Sequence, residues 1–135
     1  GGRIESKDVS GEVTAIRETE EEVGIKKKEI TILGAIDDVV SVTKFHLTPF
    51  VGVVPYKNQY SFDKNEVEQV YLIPISFFLV TPKIINYKWN GEDKPSYVYD
   101  YKDIRIFGVT AYIIKNFIAI LNDSGFIEIN KSFIF

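Results

Sequence analysis

The sequence predicts an α+β fold in a single domain, and three observations support this prediction. The chain has 135 residues, about the size of one domain. An acidic segment whose apolar residues have helical spacing comes first, and several short runs rich in Val, Ile, Thr and Phe follow it. A second, strongly apolar segment with helical spacing lies near the C-terminus. We therefore expect helices and strands to form one domain over residues 1–135.

The first predicted helix begins near Ser10 and Gly11. Ser10 or Asp8 would cap its free N–H groups, and Gly24 would end it because glycine adopts the left-handed conformation at little cost. The positions between its apolar residues are mostly acidic, so we expect one buried stripe and a charged opposite face. The stripe is predicted to consist of Val13, Ile16 and Val23.

The middle of the chain is predicted to form strands, because β-branched and aromatic residues are enriched there. Asp37 and Asp38 would make a turn between the first two strands. Pro74 would begin a short apolar helix, since proline suits the first helical turn. The predicted strands cover residues 29–36, 39–45, 47–54 and 67–73, and the short helix covers residues 75–79.

The last third of the chain predicts a β-hairpin followed by a helix. The hairpin arms are residues 84–89 and 97–101, joined by a loop over 90–94, and the second arm would continue into 104–107. The helix would cover about 109–121, with its buried side formed by Ile113, Ile114, Phe117, Ile120 and Leu121. The apolar tail, residues 125–135, is predicted to be a packed segment or an interface.

Composition excludes several classes of function. The absence of cysteine removes disulfides, thiolate nucleophiles and cysteine-ligated zinc, and His46 is the only histidine. A net charge of −3 is the wrong sign for a general nucleic-acid surface. No apolar run approaches the roughly 20 residues of a membrane-spanning helix. Any bound metal should therefore be a hard cation held by carboxylates, and we expect no nucleic-acid or membrane partner.

The acidic helix carries the most informative cluster. Glu18 and Glu22 are four residues apart, about 40° around a helix axis, and Glu21 lies on the same side. Like charges so placed repel one another, which favours a bound cation such as Mg²⁺ or Mn²⁺. The alternative is a solvated helix face, in which Glu22 pairs with Lys26.

The residues around this cluster resemble the Nudix box. In that family the box runs Gly, five residues, Glu, seven residues, then Arg-Glu-(apolar)-x-Glu-Glu-x-Gly-(apolar). The matching segments are Gly1-Gly2-Arg3-Ile4-Glu5 and Arg17-Glu18-Thr19-Glu20-Glu21-Glu22-Val23-Gly24-Ile25.

The match departs from the usual box in its first half. Thr19 replaces an apolar residue, and counting back from Arg17 puts Val9 where the box glutamate belongs. The acid is Asp8 instead, and the spacing from Gly-Gly to Arg is one residue longer. This variant is similar to the coenzyme A pyrophosphatase branch of the family.

Further segments resemble that branch, so the resemblance covers about residues 1–121. They are Leu33-Gly34-Ala35-Ile36-Asp37-Asp38, residues 45–52, residues 65–74, Tyr99-Asp100-Tyr101 and residues 106–111, with Phe107 in place of a tryptophan.

The resemblance implies a fold with a mixed β-sheet sandwiched between helices, α/β/α. It also implies strands before the box, which would feed into the Gly-Gly loop. Because this sequence begins at Gly1 and contains no methionine, we expect a longer native protein whose N-terminal strands precede it.

The resemblance also assigns the site residues. Glu18 and Glu22 would be the metal ligands, with the Gly2 carbonyl as a third. Glu21 would take a further metal position or act through a bound water. Arg17 would hold a carboxylate of the site through a bidentate pair. Arg17, Glu21 and a general base outside the helix would thus serve catalysis.

Three other residues are candidates for the active site, and each has an alternative role as an ordinary surface or structural residue. Glu66 is placed where some Nudix enzymes have a catalytic glutamate, or it is a surface charge at the start of a strand. Lys44 would contact a substrate phosphate or simply be exposed, and His46 would contact substrate or have a structural role.

The sequence therefore predicts a cation-dependent hydrolase of the pyrophosphate in coenzyme A or its thioesters. The products would be 3′,5′-ADP and (acyl-)4′-phosphopantetheine. Two alternatives remain: a Nudix pyrophosphatase for another nucleoside diphosphate derivative such as ADP-ribose, and a Nudix-fold binding module without catalysis. A cytoplasmic location and a homodimer are further expectations.

Overall fold

The computed structural model describes residues 2–126, which divide into two compact units. The first unit contains residues 2–38 and 48–72, and the second contains 39–47 and 73–126. The described helices are α1 (Gly11–Val23) and α2 (Gly108–Asp123), and the described strands are β1 (Thr31–Ala35), β2 (Val39–Val40), β3 (His46–Leu47), β4 (Phe50–Val53), β5 (Lys83–Trp89), β6 (Glu92–Tyr101) and β7 (Ile104–Phe107). The α+β class is confirmed, whereas the single domain stays a prediction.

Both predicted ends of α1 are confirmed. The Val13 N–H donates to the Ser10 hydroxyl oxygen at 3.3 Å, so Ser10 is the N-cap. Gly24 follows the helix with φ of 71° and donates its N–H to the Glu20 carbonyl at 3.0 Å. A Cβ on Gly24 would also overlap the Ser61 carbonyl oxygen. Glycine is therefore required here by conformation and by space.

The predicted apolar stripe of α1 is wrong in its first member. Val13 is exposed, while Ile16 and Val23 are half-buried. The residues of α1 that are buried are Thr14 and Arg17. A guanidinium takes the buried position because enough carboxylates surround it to replace its water, as the site shows below.

The rest of the first unit is a small sheet and irregular loops. β1 pairs antiparallel with β4, with a register irregularity between Ile32 and Gly34. A 3₁₀ turn over Lys27–Glu29 leads into β1. Ile25 and Ile36 are the buried apolar residues of this unit.

The predicted strands of the middle region are shorter than expected, and one is wrong. The second keeps only Val39–Val40, and the third is divided into β3 and β4 at Pro49, which has no N–H for a ladder. Residues 67–73 form no strand, because β-branched composition alone provides no partner strand.

The second unit contains a three-stranded antiparallel sheet in the order β5-β6-β7. β5 and β6 are joined by Asn90 and Gly91, with φ of 50° and 82°, which is the two-residue turn that favours Asn-Gly. The hairpin is thus tighter than the predicted loop over 90–94. β7 is a separate strand that turns back on β6 at Lys102, rather than a continuation of the second arm.

The second unit has an apolar core between its sheet and α2. Phe78, Tyr99 and Ala111 form this core, and the rings of Phe78 and Tyr99 meet edge to face at 5.2 Å. Ala111 is fully buried, and Ile114 packs against the core from the next turn of α2. Ile120 is predicted from the sequence to be buried, but in the structure it is 49% exposed.

Two further expectations concern the ends of the second unit. The short helix after Pro74 is confirmed as a 3₁₀ helix over Ile75–Leu79. The predicted apolar tail lies outside the described residues beyond position 126. Within residues 2–126, neither helix has the length and apolar character needed to cross a membrane.

Candidate active site

A single buried guanidinium organises the acidic face of α1. Arg17 lies in the second turn of α1, and 6% of its side chain is exposed. Its Nε donates to Asp8 Oδ1 at 3.1 Å and its Nη2 donates to Asp8 Oδ2 at 2.9 Å. This is a bidentate pair, which fixes both the position and the plane of the guanidinium.

The other edge of the guanidinium holds the carboxylates of the predicted site. Arg17 Nη1 donates to Glu18 Oε1 at 2.7 Å and to Glu21 Oε2 at 2.8 Å. Glu5 Oε1 lies 3.4 Å from the same nitrogen. Four carboxylates, counting Asp8, therefore surround one guanidinium, and negative charge is in excess around it.

The structure resolves the departure from the usual box at residues 8 and 9. Val9 is 89% exposed and contributes no acid. The Asp8 carboxylate is 2% exposed and also accepts the Glu5 N–H at 2.9 Å and the Thr14 hydroxyl at 3.0 Å. Asp8 thus takes the part of the acid that pairs with Arg17.

The hydrogen bonds of this pair keep both partners in their charged forms. Hydrogen bonds from Arg17 hold the pKa of Asp8 far below its usual range, and the Glu5 N–H lowers it further. The hydrogen bonds to Asp8 raise the pKa of Arg17 above its usual value. Both side chains stay charged at any pH near neutral, so they hold the site together and do not exchange protons.

The loop before α1 approaches the helix closely at Gly2. The Glu18 carboxylate occupies the space that a Cβ on Gly2 would take. The Arg3 carbonyl accepts a hydrogen bond from Arg17 Nη2 at 3.2 Å. Only glycine at position 2 therefore lets the main chain reach the Glu18 carboxylate.

The donor chemistry of this site fits a divalent cation. Oxygen ligands from carboxylates and a backbone carbonyl are the kind that Mg²⁺ and Mn²⁺ prefer. As the side chains lie, however, no three Asp, Glu or His groups within residues 2–126 come together in a metal-holding arrangement. Glu18 and Glu21 are bonded to Arg17 instead, so a cation would have to compete with the guanidinium for them.

The end of α1 brings a second loop toward the same helix. The Asp63 N–H donates to the main-chain carbonyl of Glu22 at 2.9 Å. Glu66, three residues later, donates its N–H to the Asp63 carbonyl at 3.1 Å, and its side chain is exposed. Glu66 thus lies in a turn anchored at the last turn of α1, not at the start of a strand as predicted.

The two predicted substrate contacts belong to the second unit. His46 lies in β3, where it pairs with Val40, and its side chain is exposed. Lys44 lies in the turn between β2 and β3 with φ of 63°, and its N–H donates to the Ser41 carbonyl at 2.9 Å. A positive φ is rare for a residue with a side chain and is more usual for glycine.

Sequence reasoning missed the contacts that three residues make around Arg17. Asp8 is predicted only as a helix cap or as the displaced acid of the box, Glu5 only as part of the matching segment, and Thr14 has no predicted role. In the structure Asp8 and Glu5 pair with Arg17, and the Thr14 hydroxyl donates to Asp8. A signal was present, because Asp8, Thr14 and Arg17 are six and three residues apart and can meet across a loop and one helical turn.

A loop, a helix with paired glutamates and a buried arginine define a class of protein, and comparison with known families identifies it. The NUDIX domain model matches residues 1–95 of the chain. The chain therefore belongs to the Nudix family, and the predicted Nudix fold is confirmed.

Curated relatives agree with this assignment. The chain is 33% identical over 117 residues to the uncharacterized Nudix hydrolase NudL of Enterobacter sp. (strain 638). It is 32% identical to NudL of Citrobacter koseri and 30% identical to NudL of Escherichia coli (strain K12), each over 117 residues. Each match covers 85% of this chain and 61% of the relative. The chain thus spans about three fifths of the length of these relatives.

Proposed function

We propose that this chain carries the active site of a pyrophosphatase that depends on Mg²⁺ or Mn²⁺ and cleaves coenzyme A or its thioesters. The products would be 3′,5′-ADP and (acyl-)4′-phosphopantetheine. The observation that carries the proposal is the excess of carboxylates around Arg17, next to the main chain at Gly2. A diphosphate is itself strongly anionic, so such a site needs a cation between protein and substrate.

Each acidic residue has a separate role in the proposal. Glu18 and Glu22 would hold the cation together with the Gly2 carbonyl, and Glu21 would hold a further cation or its water. A bound divalent cation would supply charge neutralisation and a more acidic water. Arg17 would be a positioning residue, because its Nη1 donates hydrogen bonds to the carboxylates of Glu18 and Glu21 and so orients them.

The general base is proposed to be Glu66, with Glu21 as the alternative. Glu66 is exposed and its turn is tied to the Glu22 carbonyl through Asp63, so its carboxylate is free to accept a proton from water. Arg17 Nη1 donates to Glu21 Oε2 at 2.8 Å, so this oxygen of Glu21 is already engaged by the guanidinium.

The coenzyme A assignment rests on sequence, since the first half of the box follows that branch. The spacing Gly2, Glu5, Asp8 resembles that of the branch, and Asp8 makes a bidentate pair with Arg17. Lys44 and His46 would contact the substrate, a phosphate in the case of Lys44. A homodimer and a cytoplasmic location belong to the same proposal.

The test is product analysis with coenzyme A and, separately, ADP-ribose in the presence of Mg²⁺ or Mn²⁺. We expect faster cleavage of coenzyme A, abolished in Glu22→Gln. The matched control is Glu12→Gln, an exposed glutamate in the first turn of the same helix, which should retain activity. Preference for ADP-ribose would contradict the coenzyme A assignment while keeping the pyrophosphatase.

The affinity of the chain for a divalent cation distinguishes the enzyme hypotheses from a binding module without catalysis. If Mn²⁺ binds, detected by loss of the free-ion electron paramagnetic resonance signal, and Glu22→Gln weakens it, the metal site is supported whatever the substrate. If the chain binds no cation, both enzyme hypotheses, the coenzyme A pyrophosphatase and the pyrophosphatase for another nucleoside diphosphate derivative, are contradicted.

A further inference from the structure

Most residues of the edge strand β5 are exposed to solvent. In the described part of the chain β5 pairs only with β6, so it is the edge of the three-stranded sheet. Six of its seven residues are exposed, and Tyr87 is half-buried. The apolar side chains of Ile84, Ile85 and Trp89 are 66%, 36% and 36% exposed.

The main chain of this edge is suited to pairing. The two-residue turn makes Trp89 and Glu92 a hydrogen-bonded pair, so alternate residues of β5 face β6 with their N–H and C=O groups. The remaining residues, Ile84, Asn86 and Lys88, direct theirs away from β6. β5 contains no proline, glycine or register shift, which are the usual features that disrupt an edge.

Lysines on an edge strand normally discourage pairing, but here their charges are compensated within the chain. Lys83 Nζ lies 3.0 Å from Asp100, and Lys88 Nζ lies 3.5 Å from Asp93. Each lysine therefore brings its own counter-charge to the edge, and the repulsion between two such edges is reduced.

We propose that β5 is the surface of the homodimer, an inference that rests on the homodimer in the proposed function, and that β5 strands from two copies pair antiparallel about Asn86. This register aligns all seven residues of both strands. It places Lys83 opposite the partner's Trp89, and Ile84 opposite the partner's Lys88. Ile85 faces the partner's Tyr87, and the two Asn86 amides meet at the two-fold axis. No like charges lie directly opposite one another.

The pairing would join two sheets into one of six strands. It adds roughly six main-chain hydrogen bonds, two for each outward-facing residue pair. One seven-residue strand is small beside the roughly 1,600 Å² of a standard interface. We therefore expect a weak dimer, with a Kd on the order of 10 μM.

A pair of charge substitutions tests the register. Ile84→Lys puts a lysine opposite the partner's Lys88, whereas Ile84→Glu puts a carboxylate there. Both remove the same exposed side chain, so their difference isolates the cross-strand charge. Sedimentation velocity over a dilution series should show Ile84→Glu dimerising about tenfold more tightly than Ile84→Lys, with a smaller difference in roughly 0.5 M NaCl.

A single cysteine tests the axis, since the chain has none of its own. Asn86→Cys would bring two cysteines to a Cα separation of about 5.5 Å, within disulfide range. Mild oxidation should cross-link it, whereas Ile84→Cys on the same strand should not cross-link because its twin lies several residues away.

Two outcomes would overturn the proposal. One is a dimer that Ile84→Lys and Ile84→Glu affect equally. The other is a monomer at every concentration up to roughly 100 μM, ten times the expected Kd. In that case, hydrogen exchange that is slow at Ile84, Asn86 and Lys88 regardless of concentration would show that another segment of the same chain covers the edge.

Discussion

The two helices of this chain are anchored in opposite ways. α1 buries Thr14 and Arg17, and its central contact is a guanidinium shared among carboxylates. α2 buries Ala111 against Phe78 and Tyr99, with no charge in the contact. The first arrangement fixes the direction of charged groups, and the second simply removes apolar area from water. The helix anchored by charge is the one that carries the proposed site.

The buried Arg17 of α1 orients the carboxylates around it more than it stabilises the fold. A buried ion pair gains little over apolar packing of the same volume, because desolvation offsets most of the attraction. What the Arg17 pair does provide is orientation, since Asp8 fixes the guanidinium plane and the opposite edge then aligns Glu18 and Glu21. An apolar anchor like Ala111 would leave those carboxylates unaligned.

The largest expected effect is the loss of the charge at the α1 anchor. Arg17→Met should lower the midpoint of thermal unfolding more than any other change considered, because Asp8 would stay buried without its guanidinium beside Glu18 and Glu21. Thermal melts by circular dichroism measure the effect. The matched control is Arg105→Met, whose side chain is 63% exposed and pairs with Asp100 at the surface.

A double variant distinguishes an unpaired charge from lost packing. Arg17→Met combined with Asp8→Leu removes both partners and should recover part of the lost stability. Arg17→Lys should fold but lower activity by about 10–100-fold, because an ammonium cannot bridge Asp8 and the two glutamates together. If Arg17→Met melts like the unmodified chain, charge does not anchor α1.

A smaller effect is expected from overfilling the α2 anchor. Ala111 is fully buried, so Ala111→Leu should destabilise the second unit by about 1–3 kcal/mol as the larger side chain displaces Phe78 or Tyr99. Ala119→Leu, the same change at an exposed position of α2, should change stability by less than about 0.5 kcal/mol. Urea unfolding measures both, and equal losses for the two variants would show that the contact at Ala111 is loose.

The same contrast explains how much could be predicted from sequence. The bounds of α2 agree with the prediction to within two residues, because apolar residues at helical spacing indicate both a helix and its buried side. The predicted buried side includes one residue too many, since Ile120 is exposed. The ends of α1 were predicted from Ser10 and Gly24, since caps act locally. The buried side of α1 could not be predicted in the same way, because the burial of Arg17 depends on Asp8, a residue outside the helix.

The site shows the same division between local and distant information. Helical spacing put Glu18 and Glu21 on one side, and both contact Arg17. The anchoring of the Glu66 turn through Asp63 to Glu22 depends on a hydrogen bond between residues 41 apart along the chain, which no local pattern indicates.

The smallest expected effect comes from a surface counterpart of the Arg17 pair. In the second unit Arg105 Nε donates to Asp100 Oδ1 at 2.7 Å, and Lys83 Nζ donates to Oδ2 at 3.0 Å. The Arg105 hydrogen bond, followed by that of Lys83, lowers the pKa of Asp100 below its usual value. Unlike Asp8, Asp100 is partly solvated, with 28% of its side chain exposed.

The lowered pKa fixes the direction of the pH dependence. The folded chain binds this proton more weakly than the unfolded chain, so the contribution of Asp100 is fully present above its unfolded pKa of about 4. It is lost as the pH falls through the lower, folded value. Asp100→Asn should therefore be slightly less stable than the unmodified chain at pH 7 and equal to it in strong acid. Urea unfolding at several pH values measures this difference, and salt should shrink it because both cations are exposed. A difference that grows toward acid would mean that the ion pair does not favour the charged carboxylate, and the contrast with Asp8 would fail.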